Sequence, residues 1–435
     1  MGSFINDKLL PKVLAFVNTK GVQALKEGMI LTISPIIVGS IFLILECFPI
    51  PAVANFFAET GLAAIFDQAY SSTFAVSAFV AAIGIAYNYC KLEGIEPLGG
   101  AIVSLNAFFL IQPHKAGEVT NVFDIGAWAG GKGMVGAIIC GLLVGVTYSW
   151  FIKKKITIKM PAGVPQGVVN SFASLIPGIV IIAAFDAVYA ITTMAFGQTP
   201  IELIYTIVQT PLQGLSDSVP GVLATTFLIP FLWFFGVHGS SIVSGILTGL
   251  WTANYMDNQA LFEAGKELTV ANGGHIVTQQ FVDNVVNLGG SGCTLGIVIF
   301  LLFFAKSATL KSLGKLELGP AIFMINEPLL FGLPIVMNPI MAVPFILAPM
   351  VAGLTQYFAI YLGLAPMYRG IVAPWTTPPI ISGMLIGGWR TALLQIVIMA
   401  ESFAIYFPFL KKLDAQTLEN EQNAANAADD DDDDW

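Results

Sequence analysis

Ten long runs of apolar residues constrain this chain more than any other feature of its sequence. A helix of about 20 apolar residues crosses the hydrocarbon core of a lipid bilayer. Charged side chains make up 11% of the sequence, too few to cover a water-soluble globule, in which they normally reach about 25%. The sequence therefore predicts an all-α integral membrane protein with about ten transmembrane helices, near residues 27–47, 70–90, 97–113, 133–152, 170–195, 219–237, 239–256, 286–305, 340–362 and 390–410.

Lysines mark one side of the predicted membrane. If the N-terminus lies in the cytoplasm, 14 of the 19 basic residues fall in cytoplasmic segments, in agreement with the positive-inside rule. We therefore expect both termini to be cytoplasmic. Residues 4–26 mix lysines with apolar side chains, which is typical of an amphipathic helix at the membrane surface. The 14 residues are Lys8, Lys12, Lys20, Lys26, Lys91, Lys153, Lys154, Lys155, Lys159, Lys306, Lys311, Lys315, Lys411 and Lys412.

The pattern divides the chain into four parts. Residues 1–195 read as a five-helix scaffold, and residues 196–218, which contain no basic residue, as an amphipathic connector. Residues 219–412 read as a second, irregular domain. Residues 413–435 form an acidic tail that we expect to be disordered, because Asp429 to Asp434 supply six of the nine net negative charges.

Prolines interrupt the second domain. The 41 residues from Pro328 to Tyr368 carry no formal charge, are too long for one crossing and include six prolines. Backbone that leaves a helix cannot face lipid, because each unsatisfied polar group costs several kcal/mol there. We expect two re-entrant hairpins, near residues 319–339 and 372–388, and paired broken segments of this kind indicate a transporter's binding site.

Polar side chains inside apolar stretches need a reason. Glu327 lies between Asn326 and Pro328 at the predicted break. A carboxylate at this position can bind a polyhydroxyl ligand or take a proton. Alternatively, Asn326 and Glu327 only cap the end of a broken helix. His238 lies between two predicted spans and beside glycines. Its imidazole either binds a ligand or has a purely structural role. Trp375 can offer a flat face to a sugar ring or serve as an interfacial tryptophan.

Four segments form a recognisable pattern: WFFGVHG at 233–239, LGGSGCTLG at 288–296, INEPLLFGLPIVMNP at 325–339 and APWTT at 373–377. Together they resemble the enzyme IIC membrane component (permease) of the phosphoenolpyruvate-dependent sugar phosphotransferase system, in its lactose, cellobiose and N,N'-diacetylchitobiose group. The resemblance covers residues 4–412, with the more specific motifs in the second half.

The resemblance implies a homodimer in a bacterial cell membrane, formed through the first five helices. It implies that His238 and Glu327 bind the hydroxymethyl end of a disaccharide and that Trp375 packs on the sugar. Asn326 and Asn287 are further candidate substrate-binding residues. It also implies alternating access, with phosphorylation of the sugar 6-hydroxyl, which His238 and Glu327 would orient and deprotonate.

The phosphoryl donor in this system is a cysteine of a cytosolic enzyme IIB protein. None of the four cysteines here lies in a soluble loop that would activate a thiol, so we expect a separate IIB chain and a substrate of the cellobiose or diacetylchitobiose type. We expect no metal, no cofactor and no nucleic acid. The alternatives are a proton- or sodium-coupled sugar transporter, with Glu327 and His238 as the coupling pair, and an intramembrane hydrolase, whose motifs are missing from the sequence.

Overall fold

The apolar runs of the sequence fold into helices. The structure, a computed structural model, describes residues 10–46, 51–116, 121–123, 128–161, 163–333, 335 and 338–432. Most of these residues are helical, and the only strands among them are His114–Ala116 and Asn121–Phe123, which pair antiparallel. The predicted all-α class is confirmed.

Long apolar helices give the fold its membrane character. Within the described residues, five helices are long and apolar enough to cross a bilayer, and a sixth crossing arises if two helices separated by a short break are taken together. The total of ten crossings stays a prediction. The helix Leu175–Phe196 buries only Pro177 and Ile181, and Met194 within it is 88% exposed, so much of its surface is open to lipid or to another chain.

The chain forms two compact units. The first comprises Met1–Leu215 and Ser244–Glu263, and the second comprises Ser216–Val243 and Ala264–Trp435. One helix, Gly239–Glu263, therefore begins in the second unit and ends in the first. The division at Leu215 lies inside the segment for which the sequence predicts a connector.

Small residues bring the helices of the first unit together. A β-carbon on Gly28 would lie 2.5 Å from Ile85, and one on Gly141 would lie 2.9 Å from the same side chain. Close approach of this kind is the usual basis of helix packing in membranes. The helices of this unit are Leu10–Val17, Lys20–Glu46, Pro51–Glu59, Leu62–Ser71, Ser77–Leu92, Pro97–Leu110, Met134–Lys153, Gln166–Ala173, Leu175–Phe196, Pro200–Ile204 and Thr210–Ser216, with a π-helical turn at Tyr205–Gln209.

The second unit contains the interrupted segments. Its α-helices besides the shared one are Val219–Phe234, Leu295–Phe303, Ala308–Ile322, Glu327–Gly332, Pro339–Tyr361 and Ile381–Asp432, and a π-helix spans Phe281–Val286. The long helix Pro339–Tyr361 follows the break at Glu327, and its first turn is capped by Asn338, whose Oδ1 accepts the Ile340 N–H at 2.9 Å. Gly388, at φ 75°, interrupts the last helix.

The last helix continues past residue 413, where the sequence predicts disorder, as far as Asp432. Its acidic residues have partners: Asp414 accepts the N–H groups of Lys306 and Ser307, each at 2.9 Å, and Glu421 accepts the N–H of Thr309 at 2.8 Å. Carboxylates at a helix N-terminus accept hydrogen bonds from its free N–H groups and interact favourably with the positive end of the helix dipole. This contact orders part of the segment. Of the six terminal aspartates, Asp433 and Asp434 lie outside the described residues.

Candidate functional site

A glycine turn at residues 288–296 is the centre of the candidate site. It joins the π-helix Phe281–Val286 to the helix Leu295–Phe303. Gly290 has φ +103°, and a β-carbon there would lie 2.4 Å from the Asn326 side chain. Only glycine suits this backbone conformation without strain, and it lets the main chain reach a neighbouring side chain. The main chain of this glycine run thus comes close to the tip of the hairpin.

Asn326 fastens the hairpin tip to the glycine turn. Its side-chain amide donates to the Ser291 carbonyl at 2.8 Å and to the Thr294 hydroxyl at 2.9 Å, and the residue is 3% exposed. The predicted sugar-binding residue Asn326 is therefore a buried neighbour of the site whose amide nitrogen already has partners. The next residue, Glu327, begins a new helix.

Glu327 is presented outward by this arrangement. It is the first residue of the helix Glu327–Gly332, its side chain is exposed, and it has no hydrogen-bond partner among the described residues. An ionised carboxylate accepts hydrogen bonds only. Glu327 is therefore available to hydroxyl groups of a ligand, while its main chain is held by Asn326.

His238 is held through one ring nitrogen. The turn after Phe234 places it just before the helix Gly239–Glu263, and its Nδ1 accepts the main-chain N–H of Ser241 at 3.1 Å. Because a main-chain N–H can only donate, the neutral ring carries its proton on Nε2. The ring lies 4.4 Å from that of Trp233, centroid to centroid. The His238 side chain itself is exposed.

A serine pair joins the His238 segment to the glycine turn. The hydroxyls of Ser240 and Ser291 are 2.6 Å apart, and the carbonyl of Ser291 accepts from Asn326. His238 lies two residues before Ser240, and Glu327 directly follows Asn326. The structure therefore connects both predicted residues to one turn.

Asn287 and Trp375 belong to the same unit. Asn287 ends the π-helix, its carbonyl accepts the Gly290 N–H at 2.8 Å, and its half-buried side chain has no hydrogen bond within the described residues. Trp375, 53% exposed, lies in an irregular segment, and the carbonyl of its neighbour Pro374 accepts from Asn284 at 3.4 Å. All five predicted site residues thus belong to the second unit and adjoin the glycine turn or the π-helix before it.

The sequence analysis did not single out Ser291, Thr294 or Asn284. The first two lie inside the glycine motif LGGSGCTLG. Asn284 lies one helical turn before Asn287, and that spacing was the available signal. Within the described part of the chain, no group of three or more His, Cys, Asp or Glu side chains converges as a metal site.

Comparisons with known proteins identify the family of this chain. The family model "Phosphotransferase system, EIIC" matches residues 26–349. The lichenan permease IIC component of Bacillus subtilis is 38% identical, covering 97% of this chain and 96% of its own length. The cellobiose-specific EIIC component of Geobacillus stearothermophilus is 35% identical, covering 96% of this chain and 95% of its own.

A solved structure is similar throughout. The crystal structure of the transporter ChbC, the IIC component from the N,N'-diacetylchitobiose-specific phosphotransferase system, has a TM-score of 0.90 and 34% identity, covering 96% of this chain and 99% of its own. These relatives do not favour a gradient-coupled transporter. This chain is an EIIC component, a membrane permease belonging to the EIIC family of the phosphotransferase system.

Proposed function

We propose that this permease binds a β-linked disaccharide of the cellobiose or diacetylchitobiose type and transports it coupled to phosphorylation. The observation that carries the proposal is the junction at Ser291, which joins the segment of His238 to the hairpin of Glu327. The relatives named for lichenan, cellobiose and diacetylchitobiose support this class of substrate.

The two polar residues take different roles in our proposal. The Nε2–H of His238 donates to the oxygen of the sugar 6-hydroxyl and orients it, and Glu327 accepts the hydroxyl proton. The sugar oxygen then bonds to phosphorus as the sulfur–phosphorus bond of the phosphocysteine breaks and the thiolate leaves. His238, with its acceptor nitrogen already engaged, orients the hydroxyl and leaves the proton to Glu327. Trp375 supplies an apolar face for the sugar ring.

We assign the phosphocysteine to a separate, cytosolic IIB protein. Cys90, Cys140 and Cys293 are buried, and Cys47 lies outside the described residues. Burial raises the free energy of a thiolate and hides it from a partner. The described cysteines thus suit packing and not phosphoryl transfer.

Transport follows an alternating-access scheme in our proposal. The second unit carries the sugar and moves relative to a dimeric scaffold built from the first five helices, and phosphorylation on the cytoplasmic side prevents return. The uneven distribution of lysines supports cytoplasmic N- and C-termini in a bacterial cell membrane. The exposed apolar helix Leu175–Phe196 supports a homodimer surrounded by lipid.

The variant Glu327→Gln tests the site. Because the carboxylate has no partner among the described residues, the change should leave the thermal midpoint in detergent within about 2 °C while weakening cellobiose binding by about tenfold or more, as expected for a lost charge-assisted hydrogen bond. Isothermal titration calorimetry on the purified protein measures the affinity for cellobiose and for diacetylchitobiose. The exposed Glu267 of the same unit gives the matched control, Glu267→Gln, which should bind as wild type. Unchanged affinity of Glu327→Gln would remove Glu327 from the site.

A further inference from the structure

The segment that carries Trp375 is irregular over an unusual length. No helix covers the residues between Tyr361 and Ile381, and connections longer than about 12 residues are uncommon in compact domains unless they have a function. We call residues 369–380 the tryptophan loop. Its main-chain N–H and C=O groups need hydrogen-bond partners, because the loop belongs to a membrane protein.

A buried glutamine holds the loop before Trp375. The side-chain amide of Gln280 donates to the carbonyl of Arg369 at 2.7 Å and to that of Ile371 at 3.1 Å. Gln280 is fully buried. It directly precedes the π-helix Phe281–Val286, whose residue Asn284 donates to the Pro374 carbonyl at 3.4 Å. Side chains of one short segment therefore satisfy three carbonyls of the loop.

A second buried glutamine holds the loop after Trp375. The Oε1 of Gln395 accepts the Ile380 N–H at 2.6 Å, and its Nε2 donates to the carbonyl of Asn284 at 2.8 Å and to the hydroxyl of Ser382 at 2.9 Å. Gln395 is 0% exposed. It thus ties the end of the loop to the same π-helix that holds its beginning.

The backbone at this second point is strained. Ile380 has φ +70°, a conformation that costs a β-branched residue free energy and that persists only where the surroundings impose it. The hydrogen bond that the Ile380 N–H donates to Gln395 is such a constraint. Between the two glutamines, Trp375 itself is half exposed, so the anchors lie in the interior and the indole reaches outward.

We propose that Gln280 and Gln395 are positioning residues for the sugar, which act by fixing the tryptophan loop so that Trp375 meets the ring of the disaccharide. The inference rests on the proposed function, in which Trp375 packs on the sugar. The glutamines themselves touch no sugar atom in this account. They affect sugar binding only by fixing the position of the Trp375 indole.

A double-mutant cycle tests this transmission. Gln280→Met keeps the length of the side chain and removes its donors. In the wild-type background it should weaken cellobiose binding by about tenfold, but in the Trp375→Ala background by less than about twofold, because the group that it positions is gone. Binding to the purified full-length protein is measured by calorimetry. A purely structural role would give the same fold-change in both backgrounds.

The control uses a glutamine of the same kind in the first unit. Gln209 is buried, donates to the Gly131 carbonyl at 2.9 Å and accepts the Val135 N–H at 3.3 Å. Gln209→Met should lower the thermal midpoint without changing sugar affinity. If Gln280→Met does not fold, Gln395→Glu, which keeps the acceptor for Ile380 and loses the donor to Asn284, takes its place in the cycle.

Two failures can be told apart. Equal losses in both backgrounds, or no loss in the wild type, overturn the positioning role and leave the proposed function intact. Unchanged affinity of Trp375→Ala alone instead removes Trp375 from the proposed sugar site, and the positioning role falls with it.

Discussion

The two ring nitrogens of His238 have different tasks. Nδ1 accepts the Ser241 N–H, so the ring cannot offer that nitrogen to a sugar. In the proposed site, Nε2 carries the proton and donates to the sugar. A side chain that keeps a donor at this position and has no titratable group should therefore replace the imidazole.

Glutamine meets that requirement. We expect His238→Gln to bind cellobiose within about threefold of wild type and His238→Ala to bind it about tenfold more weakly, since one hydrogen bond contributes up to about 1.4 kcal/mol. Equilibrium binding at a single neutral pH measures both variants against the wild type. Equal losses in the two variants would contradict the donor role and return His238 to the position of a proton acceptor.

Single residues were partly predictable. His238, Glu327 and Trp375 are conspicuous in the sequence because ionisable and bulky polar groups are rare inside apolar runs. Gln395 is not, because one neutral amide among leucines and isoleucines carries no charge to mark it. The buried position of Asn326 depends on the backbone conformation of Gly290. The hydrophobic periodicity of the sequence does not predict that conformation.

Helix ends in the first unit meet at one carboxylate. Glu93 follows the helix Ser77–Leu92 and forms ion pairs with Lys153, the last residue of its helix, and with Lys20, 2.9 Å away, at the start of another. The hydrogen bonds from Lys153 and then Lys20 lower the pKa of Glu93 below its usual value of 4.5. This residue lies outside the membrane-spanning segments.

The sign of the effect on stability follows. A carboxyl whose pKa is lower in the folded state stabilises the protein above its unfolded pKa, and this stabilisation is lost as the pH falls through the folded pKa. Glu93→Gln should therefore lower stability at pH 7 by roughly 0.5 kcal/mol, a small value because the lysines are about half exposed. Unfolding midpoints in detergent should differ at pH 7 and converge at acidic pH. The exposed Glu59 gives the control Glu59→Gln, and a constant difference across the pH range would contradict the assignment.

Apolar runs predict where helices lie better than where they break. The run at 286–305 was predicted as one crossing, but the structure has a π-helix to Val286, a turn, and a helix from Leu295. Gly289, Gly290 and Gly292 all have positive φ, and this interrupts the helix without lowering hydropathy. The break at Gly388, by contrast, lies at the boundary between the predicted hairpin near 372–388 and the predicted crossing near 390–410.

The whole molecule divides into two units, and the linear sequence anticipates only part of that division. The sugar-site motifs all fall in the second unit. Residues 244–263, however, join the first unit although they follow His238 directly, because one continuous helix carries the chain from one unit to the other. Continuous helical periodicity contains no signal for such a change of unit.

The central claim is that transport ends in phosphorylation and not in release of free sugar driven by an ion gradient. Proteoliposomes containing the purified chain, supplied with radiolabelled cellobiose, test it directly. We expect the label to be retained as sugar phosphate only when a phosphorylated IIB protein is present on the cytoplasmic side, with no retention in the Glu327→Gln variant. Accumulation of unmodified sugar against its gradient, driven by a pH or sodium gradient without IIB, would contradict the account.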